Sequence, residues 1–286
     1  MAIHRRGYNR YQGKIEGRRA RFLVLPRFSW KMMFRQRVVI LLSVCAMINP
    51  LLFAFFVYIG NNADLVNAVR PLQGVLKIDN DFFMNFMSVQ KVFAVFLAAL
   101  TGPGLIAPDV ANNALQLYFS RPLTRLDYAL GRLTALMGLL SLITWIPCLA
   151  IFLMQASMAE DGWIAANWRL GLGTCVGFLF WILLVSFTAL VSSAWVKLRV
   201  IASGLILGFF FILSGVASMI NGVFRGTWGH LLNPSWIVER AVYALSGIDA
   251  PDDVPGAAAA ILAFLVILFL LTLILERKLR PVEVIA

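Results

Sequence analysis

Residues 101–132 read TGPGLIAPDVANNALQLYFSRPLTRLDYALGR and separate two long apolar runs. The glycines and prolines between 102 and 108 are expected to end the first run, because proline lacks a backbone donor and restricts the residue before it. Asp109 can then cap a new helix over 110–119, which the Arg121-Pro122 pair ends. The segment predicts a short helix that lies across one membrane face between two spanning helices.

The residues after this segment predict where the next helix starts. Thr124 followed three positions later by Asp127 is a capping-box pattern, and Tyr128 stands where an aromatic residue is common at a membrane interface. Capping is sufficient to explain Asp109 and Asp127, although a rigid capped loop also suits a mechanical contact. Both interpretations stay open at this point.

The composition places the whole chain in a membrane. Of 286 residues, 60% are hydrophobic and only 14% are charged, with a mean hydropathy of +0.82. These values exclude an ordinary soluble domain. The formal charge of +11 does not indicate nucleic acid, because the lysines and arginines flank apolar runs and crowd the first 37 residues, a placement that fits anionic lipid headgroups.

Residues 1–37 form a basic segment with a predicted interfacial helix over 27–37. Basic residues recur there every fourth position and apolar residues fill most of the remaining surface, so one side faces headgroups and the other faces acyl chains. An unstructured basic tail is the alternative, above all for 1–20. The residues assigned to the helix are Arg27, Phe28, Trp30, Lys31, Phe34 and Arg35.

Six apolar runs are long enough to span a membrane as helices. Starting from an inner N-terminus, 19 of the 25 lysines and arginines fall on the inner side, as the positive-inside rule requires. We therefore predict an all-α protein of a bacterial-type inner membrane with both termini inside. The predicted runs are 38–58, 85–107, 130–154, 170–195, 200–220 and 257–275.

The predicted organisation has three parts: the segment 1–37, a transmembrane domain over 38–276 and a tail over 277–286. The domain contains an inner loop at 108–128 and an outer segment at 221–256. Within the outer segment, 234–245 has helical periodicity and is expected to dip into the outer leaflet.

Several single features have competing explanations. Lys91 lies in the second apolar run and is a functional candidate, but its place near the outer end also favours snorkelling to the interface. Arg121 and Arg125 fit ordinary inner anchors or a functional contact. The glycine pairs at 173/177 and 204/208 predict close helix packing. The three cysteines are expected to be small buried hydrophobes.

The 101–132 segment resembles the membrane permease subunits of type-2 ABC transporters. The match consists of an acidic residue, a short Asn-containing helix, the Leu117-Tyr118 pair and the run from Ser120 to Arg125, followed by Asp127-Tyr128 and Gly131. It covers about thirty residues. The rest of the chain agrees with the family in layout only.

The resemblance implies a permease subunit that dimerises with itself or a related permease and binds two copies of a separate ABC ATPase. That partner would hold Mg-ATP, because this chain has no phosphate-binding loop, so the chain would be no enzyme and would hold no cofactor or metal. Substrate export or flipping is implied, without the substrate's identity. The residues implied in coupling, over the 109–128 loop, are Asp109, Asn112, Asn113, Leu115, Gln116, Tyr118, Arg121, Pro122, Arg125 and Asp127.

Two other classes compete with this hypothesis. A secondary transporter needs no ATPase but usually keeps ionisable groups near the membrane midplane, and the middles of the six runs offer none beyond Lys91. A membrane assembly subunit without transport is the other alternative. An intramembrane enzyme is disfavoured, because the runs lack paired acids, metal ligands and a nucleophile with a base.

Overall fold

The structure is a computed structural model that describes residues 21–62, 78–112, 114, 124–248, 250 and 255–279, without the side chains of 21–23. These residues form ten α-helices and one 3-10 helix, Trp228–Leu232, and no strand. The α-helices are α1 (Arg21–Met33), α2 (Arg37–Gly60), α3 (Asn80–Thr101), α4 (Pro103–Ala111), α5 (Arg125–Ile143), α6 (Trp145–Met158), α7 (Trp163–Trp195), α8 (Arg199–Phe224), α9 (Pro234–Ser246) and α10 (Ala257–Leu279).

Among the described residues, six spans are long and apolar enough to cross a membrane, which agrees with the predicted number. Two of them are helix pairs, α3 with α4 and α5 with α6. Every span is longer than its apolar run, so Arg277 and Lys278, which we expected in the tail, lie in the last turn of α10. The spans are Arg37–Gly60, Asn80–Ala111, Arg125–Met158, Trp163–Trp195, Arg199–Phe224 and Ala257–Leu279.

The second and fourth spans form the core of the bundle. The fourth span, α7, packs against α3, α4, α5, α6, α8, α9 and α10. Within their most apolar stretches, 67% of the second span and 61% of the fourth are buried, against 22% for the first, fifth and sixth. The peripheral spans are at least as hydrophobic as the central ones. Hydropathy therefore identifies spans but does not rank them by burial.

The two glycine pairs have different surroundings. Gly173 and Gly177 of α7 face Ser246 and Val242 of α9 so closely that a Cβ atom would clash, which confirms close packing there. Gly204 has open space beside it, and Gly208 has only Ile212 of its own helix nearby. For this second pair, the prediction of close helix packing is wrong within the described part of one chain.

The N-terminal helix differs from the prediction in its limits and its contacts. It runs over Arg21–Met33, and a turn at 34–36 separates it from α2, so Phe34 and Arg35 do not belong to it. It packs along α5. Trp30 Nε1 donates to the carbonyl oxygen of Ala135 at 2.6 Å. α1 is therefore packed and hydrogen-bonded against the third span, so its contacts are not with lipid alone.

The helix predicted over 234–245 is present as α9, Pro234–Ser246. Asn233 caps its N-terminus by accepting hydrogen bonds from the backbone N–H groups of Ser235 and Trp236, and Gly247 ends it with a φ of 71°. Its buried face, which includes Ile237 and Val242, lies on α7 and α10. α9 is therefore part of the packed bundle.

Candidate functional site

A buried polar cluster joins the helices on both sides of the 112–124 segment. Asp109 comes from the end of α4, Tyr128 and Arg132 come from α5, and Ser29 comes from α1. Tyr128 and Ser29 are fully buried and Arg132 is 4% exposed. We call these four residues the Asp109 cluster.

The position of Asp109 corrects the predicted helix start. Asp109 does not cap a helix that begins after it, because α4 already starts at Pro103 and continues through Pro108 to Ala111. Proline is tolerated at the first helical position, which Pro103 occupies, because its missing N–H would have no partner there in any case. The predicted helix over 110–119 therefore overlaps the end of α4, and most of it lies outside the described residues.

Two serines from other spans stabilise this helix start. Ser193 of α7 accepts hydrogen bonds from the backbone N–H groups of Ile106 and Ala107 at 3.0 and 2.9 Å. Pro103 cannot donate to the carbonyl of Ala99, and Ser203 of α8 donates to that carbonyl at 2.6 Å. The break at 102 is thus satisfied by side chains, and the chain enters α4 without a loop.

The Asp109 carboxylate holds the cluster together. Arg132 Nη2 donates to Asp109 Oδ2 at 2.6 Å, and the Tyr128 hydroxyl donates to the same oxygen at 2.7 Å. Arg132 Nη1 donates to Ser29 Oγ at 2.9 Å. Tyr128 and Arg132 are four residues apart, so they share one face of α5. The expectation that Tyr128 is an interfacial anchor is wrong, since it is a buried hydrogen-bond donor.

The capping box at the start of α5 is confirmed. Asp127 N–H donates to Thr124 Oγ1 at 3.1 Å, and Thr124 N–H donates to Asp127 Oδ2 at 3.1 Å. This reciprocal pair fixes the first turn of α5 just before Tyr128. The 112–124 segment therefore leaves from a helix end that carries Asp109 and returns to a capped helix start.

The remaining predicted coupling residues fall into two groups. Asn112 forms the C-cap of α4, and its side chain donates to the Pro108 carbonyl at 2.9 Å. Arg125 is the exposed first residue of α5. Six further residues lie outside the described part of the chain, and these are Asn113, Leu115, Gln116, Tyr118, Arg121 and Pro122.

A second ionic cluster lies toward the other end of the bundle. Lys91 of α3 pairs with Glu239 of α9, and its Nζ donates to Ser235 Oγ at 2.6 Å. The Lys91 ammonium group also lies 5.4 Å from the centre of the Trp181 ring. Lys91 is 2% exposed. The snorkelling interpretation is therefore wrong, because the lysine points into the protein.

Tyr243 extends this cluster along α9. Partial burial raises its pKa above the usual tyrosine value, and the negative charges of Glu239 and Asp81 act in the same direction. The group of Lys91, Glu239, Ser235 and Tyr243 connects the second span with α9.

A third polar contact joins the first three spans at Gln90. Pro50 leaves the carbonyl of Ala46 without a helical donor, and Pro147 does the same to Ile143, where the third span breaks at Thr144. Gln90 Nε2 donates to both of these carbonyl oxygens, and its distance to that of Ala46 is 3.0 Å. Asn49 Nδ2 donates to Gln90 Oε1 at 3.0 Å. One side-chain amide thus supplies the hydrogen-bond donor for two backbone carbonyls that proline leaves unpaired in two different helices.

The described residues include three free thiols and no cluster of metal-ligand type. In the ranges that the structure describes, no three His, Cys, Asp or Glu side chains lie together as a metal site. The three cysteines are free thiols, with Cys148 buried and Cys45 and Cys175 partly buried.

Sequence reasoning missed Ser29, Arg132, Gln90 and Glu239. For Arg132, a signal existed in its i, i+4 spacing from Tyr128. For Gln90, the signal was a pair of prolines in two other runs, but nothing in the sequence paired them with residue 90. No family model matches this chain, and no curated protein matches it significantly.

Proposed function

We propose that the chain is the membrane permease subunit of an ATP-driven ABC exporter or flippase, coupled to a separate ATPase through the 109–128 loop. The observation that carries the proposal is the Asp109 cluster, together with the family resemblance of the segment it flanks. The ion pair joins the two helices from which that segment leaves and to which it returns. A displacement of this segment would therefore move α4 and α5 together.

The burial of the cluster favours rigid transmission. An ion pair shielded from water has few alternative arrangements, and separating its charges costs several kcal/mol, about 3–5 when one partner is removed. Ser29 extends the connection to α1, because its hydroxyl accepts a hydrogen bond from Arg132. The second span, the third span and the N-terminal helix would thus respond as one body.

The proposal includes the partners that the resemblance implies. Two ATPase copies would bind Mg-ATP, and this chain would pair with a second copy or a related permease in a bacterial-type inner membrane, with both termini inside. The exposed glycines of α8 support a pairing surface, because open space beside Gly204 and Gly215 permits close approach of another helix.

Co-purification tests the proposal directly. The protein would be extracted in mild detergent with a C-terminal tag, and stoichiometric partners would be identified with nucleotide present. We expect a soluble protein with a phosphate-binding loop. Recovery of the permease alone, with its 109–128 loop intact, would contradict the coupling argument.

The Lys91–Glu239 pair favours a second candidate, an ATP-independent secondary transporter. Buried ionisable residues within a span are typical of ion-coupled carriers. Deletion of 112–118 separates the two candidates in a transport assay. A secondary carrier would retain transport driven by an ion gradient, whereas an ATPase-coupled permease would lose it.

A further inference from the structure

An apolar groove of about 390 Å³ lies between the first and third spans. It is lined by Val44 and Met47 of α2 and by Leu139 and Ile143 of α5, with Phe34 at one end. The groove thus begins beside the turn between α1 and α2. It reaches the point where α5 ends.

The lining determines what can fill the groove. Its one hydroxyl, that of Ser43, already donates to the Val39 carbonyl of its own helix at 2.8 Å. An apolar cavity without free polar partners does not hold water well. In a membrane, the hydrocarbon of a lipid is the available occupant.

The depth that the groove reaches, counted from the start of α2, matches one leaflet. Its innermost α2 residue, Met47, lies ten residues beyond Arg37, the first residue of that helix, which is about 15 Å along the helix axis. This is half of the roughly 30 Å hydrocarbon thickness of a bilayer. The groove therefore accommodates a chain that enters from one membrane face and ends near the midplane.

The charges at its entrance have one sign. Lys31, Arg35 and Arg37 are exposed and flank the end marked by Phe34. No acidic residue occurs anywhere between residues 21 and 62. Clusters of basic residues next to a span attract anionic headgroups, at about 1 kcal/mol for each residue near the surface.

A second apolar groove, between α5, α7 and α10, lacks this feature. Arg125 and Glu276 both line it, so positive and negative charges occur together. Its volume is about 210 Å³. The mixed charges give no preference for an anionic headgroup.

We propose that the groove between α2 and α5 binds one acyl chain of an anionic phospholipid, whose phosphate lies at Arg35 and Arg37. The lipid comes from the leaflet next to α1, which is the cytoplasmic leaflet in the proposed orientation. Its chain end contacts Ile143, whose carbonyl receives a hydrogen bond from Gln90. The lipid therefore lies where the third span breaks between α5 and α6. This inference does not depend on an ATPase partner.

Native mass spectrometry of the full-length protein tests the assignment. The delipidated protein would be titrated with phosphatidylglycerol and with phosphatidylcholine of identical acyl chains. We expect one phosphatidylglycerol per chain with an affinity at least about tenfold higher than that of phosphatidylcholine. The Arg35→Gln/Arg37→Gln variant should lose this preference, while Lys197→Gln/Arg199→Gln, which removes two charges at another span end, should keep it.

A pair of tryptophan variants tests the location. Val44→Trp fills the groove and should abolish the preferential binding, whereas Ile48→Trp changes an exposed residue of the same helix outside the groove. Size-exclusion profiles would establish that both variants are folded. Equal affinity for the two lipids in the wild type would overturn the proposal, and so would preferential binding that survives in Val44→Trp.

Discussion

Asp109 and Arg132 are 23 residues apart in the sequence, yet Asp109 Oδ2 lies 2.6 Å from Arg132 Nη2. Between them runs the segment that resembles an ABC permease coupling loop. The contact closes the base of this segment, so the segment is anchored on both sides by one buried pair.

This pair predicts an asymmetric pattern of stability. Arg132→Met leaves the Asp109 carboxylate without its cation and should lower the free energy of unfolding by about 3–5 kcal/mol. The double variant Asp109→Leu/Arg132→Met should recover most of that loss, because no unpaired charge remains. Unfolding in mixed detergent micelles measures both.

Arg125→Met is the matched control, since it removes an exposed arginine from the same helix. Its effect should stay within about 0.5 kcal/mol. If Arg125→Met destabilises the protein as much as Arg132→Met, the cluster has no special role in stability.

The coupling proposal predicts a loss of partner binding without a loss of fold. Leu115→Asp or Tyr118→Asp introduces a charge into the predicted contact with the ATPase. We expect the co-purified ATPase and its substrate-stimulated hydrolysis to disappear, while thermal unfolding of the permease in detergent stays unchanged. Unaltered stimulated hydrolysis in both variants would falsify the proposed contact.

Gln90→Leu should be strongly destabilising despite its greater hydrophobicity. It leaves the carbonyls of Ala46 and Ile143 without a donor, and each buried unpaired polar group costs about 1–3 kcal/mol. Adding Pro50→Ala should restore part of the loss, because alanine supplies the missing backbone N–H to Ala46. The free energies of unfolding of the single and double variants measure this. A double variant no more stable than Gln90→Leu would contradict the explanation.

The Lys91–Glu239 pair predicts unequal effects for its two members. The Lys91 side chain is 3% exposed and that of Glu239 is 32% exposed. Glu239→Gln therefore leaves the Lys91 ammonium group unpaired where water cannot reach it. Lys91→Met leaves the Glu239 carboxylate unpaired, but that group is partly solvated. Thermal unfolding should show the larger loss for Glu239→Gln. Equal losses would mean that the difference in burial does not control the energetics.

Gly177→Ala and Gly204→Ala form a fifth test. A methyl group at 177 collides with Val242, while 204 has open space. In the monomer, we expect Gly177→Ala to loosen the contact between α7 and α9 and to lower the unfolding temperature. Gly204→Ala should be neutral or slightly stabilising, because alanine favours a helix by about 1 kcal/mol over glycine.

Local features of the fold were predictable, and distant contacts were not. The box formed by Thr124 and Asp127 depends on residues three positions apart, and the six spans depend on continuous hydropathy. The partner of Asp109 depends on how two helices pack, so the local pattern predicts only a helix cap for that residue. Lys91 had no visible partner, since Glu239 lies far along the chain. The sequence also does not predict α4. Pro103 would ordinarily end the second span, but Ser193 and Ser203 supply hydrogen bonds to the backbone groups that are left unpaired there, and the helical path continues.

The Lys91–Glu239 contact also constrains how the chain is made. Ribosomes deliver Lys91 to the membrane 148 residues before Glu239. A charged side chain in a spanning helix costs up to about 2.5–3.5 kcal/mol during insertion, the value at the helix centre, and Lys91 has no Glu239 beside it at that stage. The contact can form only after five spans and most of the connection to the sixth have been synthesised. Neutralisation of Lys91 consequently depends on the C-terminal third of the chain, and a chain that ends before residue 239 lacks this partner of the lysine.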